Sequence, residues 1–165
     1  MSTPVTLRHA TTADSDLLLV WRNDPVTIAM SMTPEPVTHE AHIDWFAHAL
    51  ADDARTLLMA EVDNTPVGTV RLDTFASDEY EVSITVSPDH RGQGFGQTIL
   101  SAANTLAFTA LGVHRLVATV KEDNHASRRI FESAGYQLQA LEDGVCLYHN
   151  TCGIPGTEHA SWNLQ

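Results

Sequence analysis

The sequence predicts an α/β (α+β) fold with one mixed central sheet of about seven strands, in the order β-α-α-β-β-β-α-β-α-β-β. Three observations predict it. Residues 56–86 hold three consecutive β-rich runs divided by turn residues, which reads as an antiparallel meander. From Gln97 the apolar residues recur at helical spacing. Leu116 to Val120 is then a nearly continuous apolar run, the mark of a buried strand reached by a crossover and therefore parallel to the strand before it.

Each element has its own reason. Val5 to Arg8 is short, alternating and partly β-branched, so it reads as a first strand. Thr11 or Thr12 caps a helix whose first turn carries Asp14 and Asp16 at the positive end of the dipole. Leu17, Leu18, Val20 and Trp21 are its expected apolar face, and Arg22-Asn23-Asp24-Pro25 its expected end. Pro34 and Pro36 make residues 31–37 an irregular loop. Thr38 caps a second helix with Trp45, Phe46, Ala49 and Leu50 as core. Thr56 to Val62, Val67 to Phe75 and Tyr80 to Val86 are the three strands, with turns at Asp63-Asn64 and Ala76-Ser77-Asp78. Ile99, Ala103, Leu106, Ala107 and Ala110 form the stripe of the next helix, which Gly112 ends. A helix from Ala126 to Ala134 stops at Gly135, and Gln137 to Leu141 with Val145 to Tyr148 makes a closing hairpin across Asp143-Gly144. Residues 1–150 are expected to form the domain and residues 151–165 a C-terminal tail.

Composition narrows the function. The 165 residues suit one core, and 43% apolar with 18% charged residues is an ordinary globular balance. No run is long enough for a membrane span, and the N-terminus lacks a basic, then apolar, leader, so a cytoplasmic protein is expected. Nine Lys plus Arg stand against 21 Asp plus Glu, a net charge of −12 that repels a phosphate backbone, so no nucleic acid partner is expected. The same field draws cationic amines. Cys146 and Cys152 read as isolated thiols, and neither they nor the scattered histidines match a metal-ligand spacing, so no metal is expected.

The chemistry lies in the segment from Val82 to Thr98, where a strand runs into a glycine-rich turn that opens a helix. That geometry aims several free backbone N–H groups, backed by the helix dipole, at one point. Gly92, Gly94 and Gly96 remove Cβ atoms that would hold a phosphate oxygen away, which makes a pyrophosphate the natural guest. A tight structural turn is the alternative. A dinucleotide fold fits poorly, because the spacing of G-x-G-x-x-G is missing and antiparallel strands precede the turn.

Arg91-Gly92-Gln93-Gly94-Phe95-Gly96 resembles the R/Q-x-x-G-x-G/A acetyl-CoA motif of the GNAT superfamily of N-acetyltransferases. Val86-Ser87-Pro88-Asp89 is similar to the end of that family's fourth strand, and Glu122 to Tyr136 to its N-x-x-S…G-[FY] segment. The resemblance spans residues 5–150 and implies splayed fourth and fifth strands. It implies that Ile84, Thr85 and Val86 meet the pantetheine arm of acetyl-CoA, that Arg91, Gly92, Gln93, Gly94, Phe95, Gly96, Gln97 and Thr98 hold the pyrophosphate, and that Asn124, Ser127 and Arg128 flank the cofactor. A small-molecule amine is the implied partner, and a homodimer is common among proteins of this kind.

The implied reaction needs a base, since an alkyl amine with a pKa near ~10 must lose a proton before it attacks a thioester. Family members often carry a carboxylate here, and Glu81, which shares a strand face with Ser83 and Thr85, is the catalytic residue expected; an exposed acidic strand end is the other reading. Asp78, Glu79 and Glu81 together would also make the site acidic. Where many members have a tyrosine acid, this chain has Phe131; either the thiolate leaves unassisted, or another group serves, with Tyr136 and Tyr148 as candidates, or catalysis is slow. Phe131 keeps open an acetyl-CoA-binding module with little transfer activity. Trp21-Arg22-Asn23-Asp24 and His42-x-x-Trp45-Phe46 resemble a subgroup that acetylates sugar amines or ribosomal protein N-termini, with Arg22 and His42 able to meet an anionic group. A sugar-linked amine, a polyamine and a peptide N-terminus therefore all remain as acceptors.

Overall fold

The computed structural model describes residues 4–151. Thr151, expected to begin the tail, instead ends the last strand, where it pairs with Arg115; the rest of the expected tail, residues 152–165 with Cys152, lies outside the described residues. Strands β1 (Thr6–His9), β2 (Arg55–Val62), β3 (Thr65–Ala76), β4 (Glu79–Val86), β5 (Arg115–Lys121), β6 (Gln137–Glu142) and β7 (Val145–Thr151) form one seven-stranded sheet in the order β1-β2-β3-β4-β5-β7-β6. Neighbours are antiparallel except β4 and β5, the parallel pair that the crossover demands. Among the described residues no helix is long and apolar enough to cross a membrane.

The turns follow from backbone chemistry. Asp63 and Asn64 (φ 50 and 63) and Asp143 and Gly144 (φ 51 and 76) supply the two consecutive positive φ values of a type I′ hairpin, whose twist matches the strands it joins. Helices α1 (Ser15–Arg22), α2 (Pro25–Met30) and α3 (His39–Ala51) precede the meander; α4 (Phe95–Thr109) and α5 (His125–Ser133) flank β5.

The sheet buries both faces unequally. On one face Leu58, Val70, Leu72, Val82, Leu116 and Tyr148 pack under Ile99, Leu100 and Ala103 of α4 and Phe131 of α5. Side chains such as Ile99 and Leu100, at 0% exposure, each contribute roughly 1.5–3 kcal/mol of burial. On the other face a smaller cluster joins Leu57 and Met59 to Leu18, Trp21 and Phe46. It covers β2, and the same face of β3, β4 and β5 carries polar side chains, among them Arg71, Asp73, Glu81, Ser83 and Thr119.

Four sequence expectations change. Pro25 begins a helix rather than only ending one: it sits in the first turn of α2 while the Asp24 side chain accepts from the N–H groups of Val26 and Thr27. Val20 is 65% exposed because it lies opposite Leu18 and Trp21 on α1. Trp45 is 39% exposed, with the Arg55 guanidinium 5.9 Å from its ring centre. Helix α4 starts at Phe95, since Gly94 serves as its N-cap, and Ala110 is an exposed C-cap.

Two predictions follow from this packing. A Cβ at Gly68 would run into the Thr85 carbonyl oxygen and lie 2.7 Å from Ile99 Cδ1, so Gly68→Ala is expected to lose about 1–3 kcal/mol in urea unfolding. Arg8 grips buried Asp14 through two bonds of 2.8 and 2.9 Å and Glu61 at 2.7 Å. The Arg8 guanidinium holds the Asp14 carboxyl below its ordinary value. A depressed folded-state pKa gives stability that is complete above the unfolded pKa of about 3.9 and is lost as pH falls through the folded value. Asp14→Asn should therefore lower the neutral-pH melting temperature and flatten its fall in acid, read by circular dichroism.

Candidate active site

Strands β4 and β5 pair at only three positions, Glu79↔Arg115, Tyr80↔Leu116 and Glu81↔Val117. Strand β4 continues to Val86, still paired with β3, and β5 continues to Lys121, still paired with β7. Residues 82–86 and 118–121 thus face one another without a shared ladder, and backbone groups along such an edge need partners from elsewhere. Ile84, Thr85 and Val86 lie here, half-buried. Ile84 and Val86 pack towards α4, while Ser83 and Thr85 belong to the opposite, polar face.

The turn after β4 stands beside this opening. Gly92 (φ +74) and Gly94 (φ +83) adopt the left-handed conformation that favours glycine, and a Cβ on either would meet only open space. As N-cap, Gly94 has no side chain to occupy the first N–H groups of α4. Gly96 has a different role from the one expected. A Cβ there would lie 2.6 Å from Ile130 Cδ1 and 3.4 Å from Val86 Cγ2, so this glycine lets α4, α5 and β4 approach closely and does not clear space for a ligand. Gln93 bonds back to the Asp89 carbonyl at 3.2 Å, Thr98 to the Gly94 carbonyl at 3.3 Å, and Phe95 sets its ring edge-on to His90. Gln97 is exposed. Arg91 turns to α2, where its Nη2 donates to Asp24 Oδ2 at 2.7 Å and Thr27 Oγ1 at 2.9 Å.

Across the opening, Asn124 caps α5 by accepting from the Ser127 N–H at 3.2 Å. Arg128 donates to the Tyr148 hydroxyl at 3.1 Å and the Glu122 carbonyl at 3.1 Å, and the Tyr148 hydroxyl donates to Glu132 at 2.7 Å. Phe131 is a core side chain, 3% exposed and edge-on to Tyr136 at 5.0 Å. The Tyr136 hydroxyl donates to Asn104 at 2.6 Å. Burial pushes both tyrosines above the ordinary phenol value, and for Tyr148 the Glu132 carboxylate adds to that. Both hydroxyls are committed to internal partners.

Glu81 stands at the last β4–β5 pair, where its Oε1 accepts from the Thr119 hydroxyl at 2.8 Å. Asp73 lies directly opposite on β3. The expected local acidity is offset: Arg55 and Arg71 both bind Asp73, at 2.6 and 2.8 Å, and Arg115 binds Glu79 at 3.0 Å. The anionic-group contacts expected of Arg22 and His42 are also revised. Arg22 donates to the Thr33 carbonyl at 2.9 Å, and His42, 3% exposed, pairs its Nε2 with the Ser15 carbonyl at 2.8 Å. Asn23 bonds both backbone groups of Val37, so Arg22, Asn23 and Asp24 tie down α2 and the loop after it, while Trp21 belongs to the core.

Asp24, Thr27, Thr119 and Lys121 are additions that sequence reasoning missed. Only Asp24 carried a signal, as an N-cap before proline; the others meet their partners across long stretches of chain.

A family model described as an acetyltransferase (GNAT) domain matches residues 5–137. The putative phosphinothricin acetyltransferase YwnH of Bacillus subtilis is 30% identical over 148 residues, covering 86% of this chain and 89% of that protein. The uncharacterized N-acetyltransferase YfmK of the same organism is 32% identical over 100 residues, covering 60% of this chain and 66% of that one's length. A crystal structure of spermidine N-acetyltransferase from Vibrio cholerae, in complex with CoA and spermine, matches with a TM-score of 0.80 at 19% identity, covering 91% of this chain and 96% of that one. At that identity the likeness is one of fold.

Proposed function

The chain belongs to the acetyltransferase (GNAT) domain family, and from that premise we propose that it transfers the acetyl group of acetyl-CoA to the primary amine of a small-molecule or sugar-linked acceptor. The observation that carries the reading is the early end of β4–β5 pairing beside a glycine turn that opens α4. The donor set fits acetyl-CoA. The N–H groups of Phe95, Gly96 and Gln97 in the first turn of α4, ahead of the Thr98 N–H that bonds the Gly94 carbonyl, suit a diphosphate, and the open edge at Ile84, Thr85 and Val86 suits the amides of a pantetheine arm. Asn124, Ser127 and Arg128 flank the other side. Because Asp24 and Thr27 engage the Arg91 side chain, that residue serves the diphosphate chiefly through its backbone.

Bound acetyl-CoA supplies the activated acyl carbon. Glu81 takes the proton from the incoming ammonium, directly or through a water, and Thr119 fixes the orientation of its carboxylate. A backbone N–H of the open β4 edge steadies negative charge on the acyl oxygen. With Phe131 in the core and Tyr136 and Tyr148 committed elsewhere, the sulfur departs without a side-chain acid. Its free thiol pKa near ~8.5 makes it an adequate leaving group. We place the reaction in the cytoplasm, a reading that the buried free thiol of Cys146 supports.

CoA release from acetyl-CoA tests this against spermidine, phosphinothricin, amino sugars with their nucleotide forms, amino acids and short peptides. Turnover with a small amine is expected. Turnover with peptides alone overturns the acceptor class, and none at all, with acetyl-CoA bound, points to a binding module. Glu81→Gln should lower kcat by about 10²-fold or more while acetyl-CoA affinity holds. Gly94→Val forces a β-branched residue to φ +83 beside the diphosphate, so calorimetry should record weaker CoA binding.

A further inference from the structure

Helix α2 has six residues, none of them buried, so neither core packing nor intrinsic stability holds it in place. Polar ties do, and they come from both sides of the open strands. At its start, Arg91, just beyond β4, donates to Asp24 at 2.7 Å and to Thr27 at 2.9 Å. Asp24 Oδ2 also accepts from the N–H groups of Val26 and Thr27, at 3.1 and 3.2 Å. One carboxylate oxygen is thus both cap and anchor, and Arg91 holds the Asp24 carboxyl below its ordinary value. At the far end, Lys121, the last residue of β5 and the chain's single lysine, donates to the Ala29 carbonyl at 3.0 Å.

We propose that Asp24, Thr27 and Lys121 are positioning residues that hold α2 as a strap across the open ends of β4 and β5, keeping water from the acyl group and framing the entry of the amine. The inference rests on the acyl-transfer reading above. Its chemical consequence is a side reaction held in check: water attacking the thioester gives acetate and CoA thiol, with no amine consumed.

Asp24→Asn separates the two duties of this residue, since asparagine still caps a helix but carries no charge for Arg91. Lys121→Met removes the other tie and keeps the stem; Thr27→Val is a gentler third variant should either fail to fold. In the full-length protein, amine-free CoA release from acetyl-CoA and hydrogen exchange at residues 26–30 should both rise about fivefold, as loss of a hydrogen bond allows. CoA affinity by calorimetry should stay within about twofold, and the KM of the acceptor found in the panel should rise more than kcat falls. Wild-type rates of exchange and of amine-free release in these variants would overturn the strap. So would an Asp24→Asn protein that loses CoA affinity in proportion, because Arg91 would then act on the cofactor and not on α2. A wild-type protein that fails to bind CoA sinks the acyl-transfer reading and the inference with it, and the CoA titration alone identifies that failure.

Discussion

The rest of the structure is arranged around a ladder that stops. After Glu81↔Val117 the two parallel strands cease to share hydrogen bonds, yet each stays pinned on its outer edge, β4 to β3 and β5 to β7. The gap is therefore held open from both outer edges. Backbone polar groups along it need partners, and an extended chain of amides entering between the strands is the kind of guest that supplies them. Gly96 belongs to the same construction. By admitting Ile130 and Val86 beneath the first turn of α4, it seats that helix against α5 and β4. The N–H groups at its start are thereby fixed beside the opening.

Charge is organised locally in a way that the net value of −12 does not convey. Around Glu81 the carboxylates of Asp73 and Glu79 are each met by arginine, so the pocket is close to balanced and Glu81 is set apart by its neutral partner, Thr119. Arginines elsewhere work as struts: Arg8 joins β1 to Asp14, just ahead of α1, and to β2, and Arg22 and Arg91 secure the segment around α2.

Most of the fold was legible because its signals are local. Paired turn residues at 63–64 and 143–144, the stripe from Ile99 to Ala107 and the apolar run at 116–120 each act within a few positions, and each element formed where those signals lie. The glycine turn was legible for the same reason. Helix α2 was not, because Pro25 ends one helix and suits the first turn of the next, and only the Asp24 cap decides between them. Trp45 and Val20 were placed by type when their angular position around the helix decides exposure. The partners of Arg22, Arg91 and Glu81 lie 11, 67 and 38 residues away, beyond any periodicity, and appear only once the sheet has brought them together.

The strand order carries a consequence for how the molecule is made. The last strand described, β7, lies inside the sheet, between β5 and β6, and its Cys146 and Tyr148 are fully enclosed. A growing chain that has emerged only as far as the turn at Asp143-Gly144 has every described helix and six of the seven described strands, but no β7 to join β6 to the others. Synthesis must deliver residues 145–151 before the sheet can close, so a chain that stops at this turn leaves an open edge on β5 exposed to other chains.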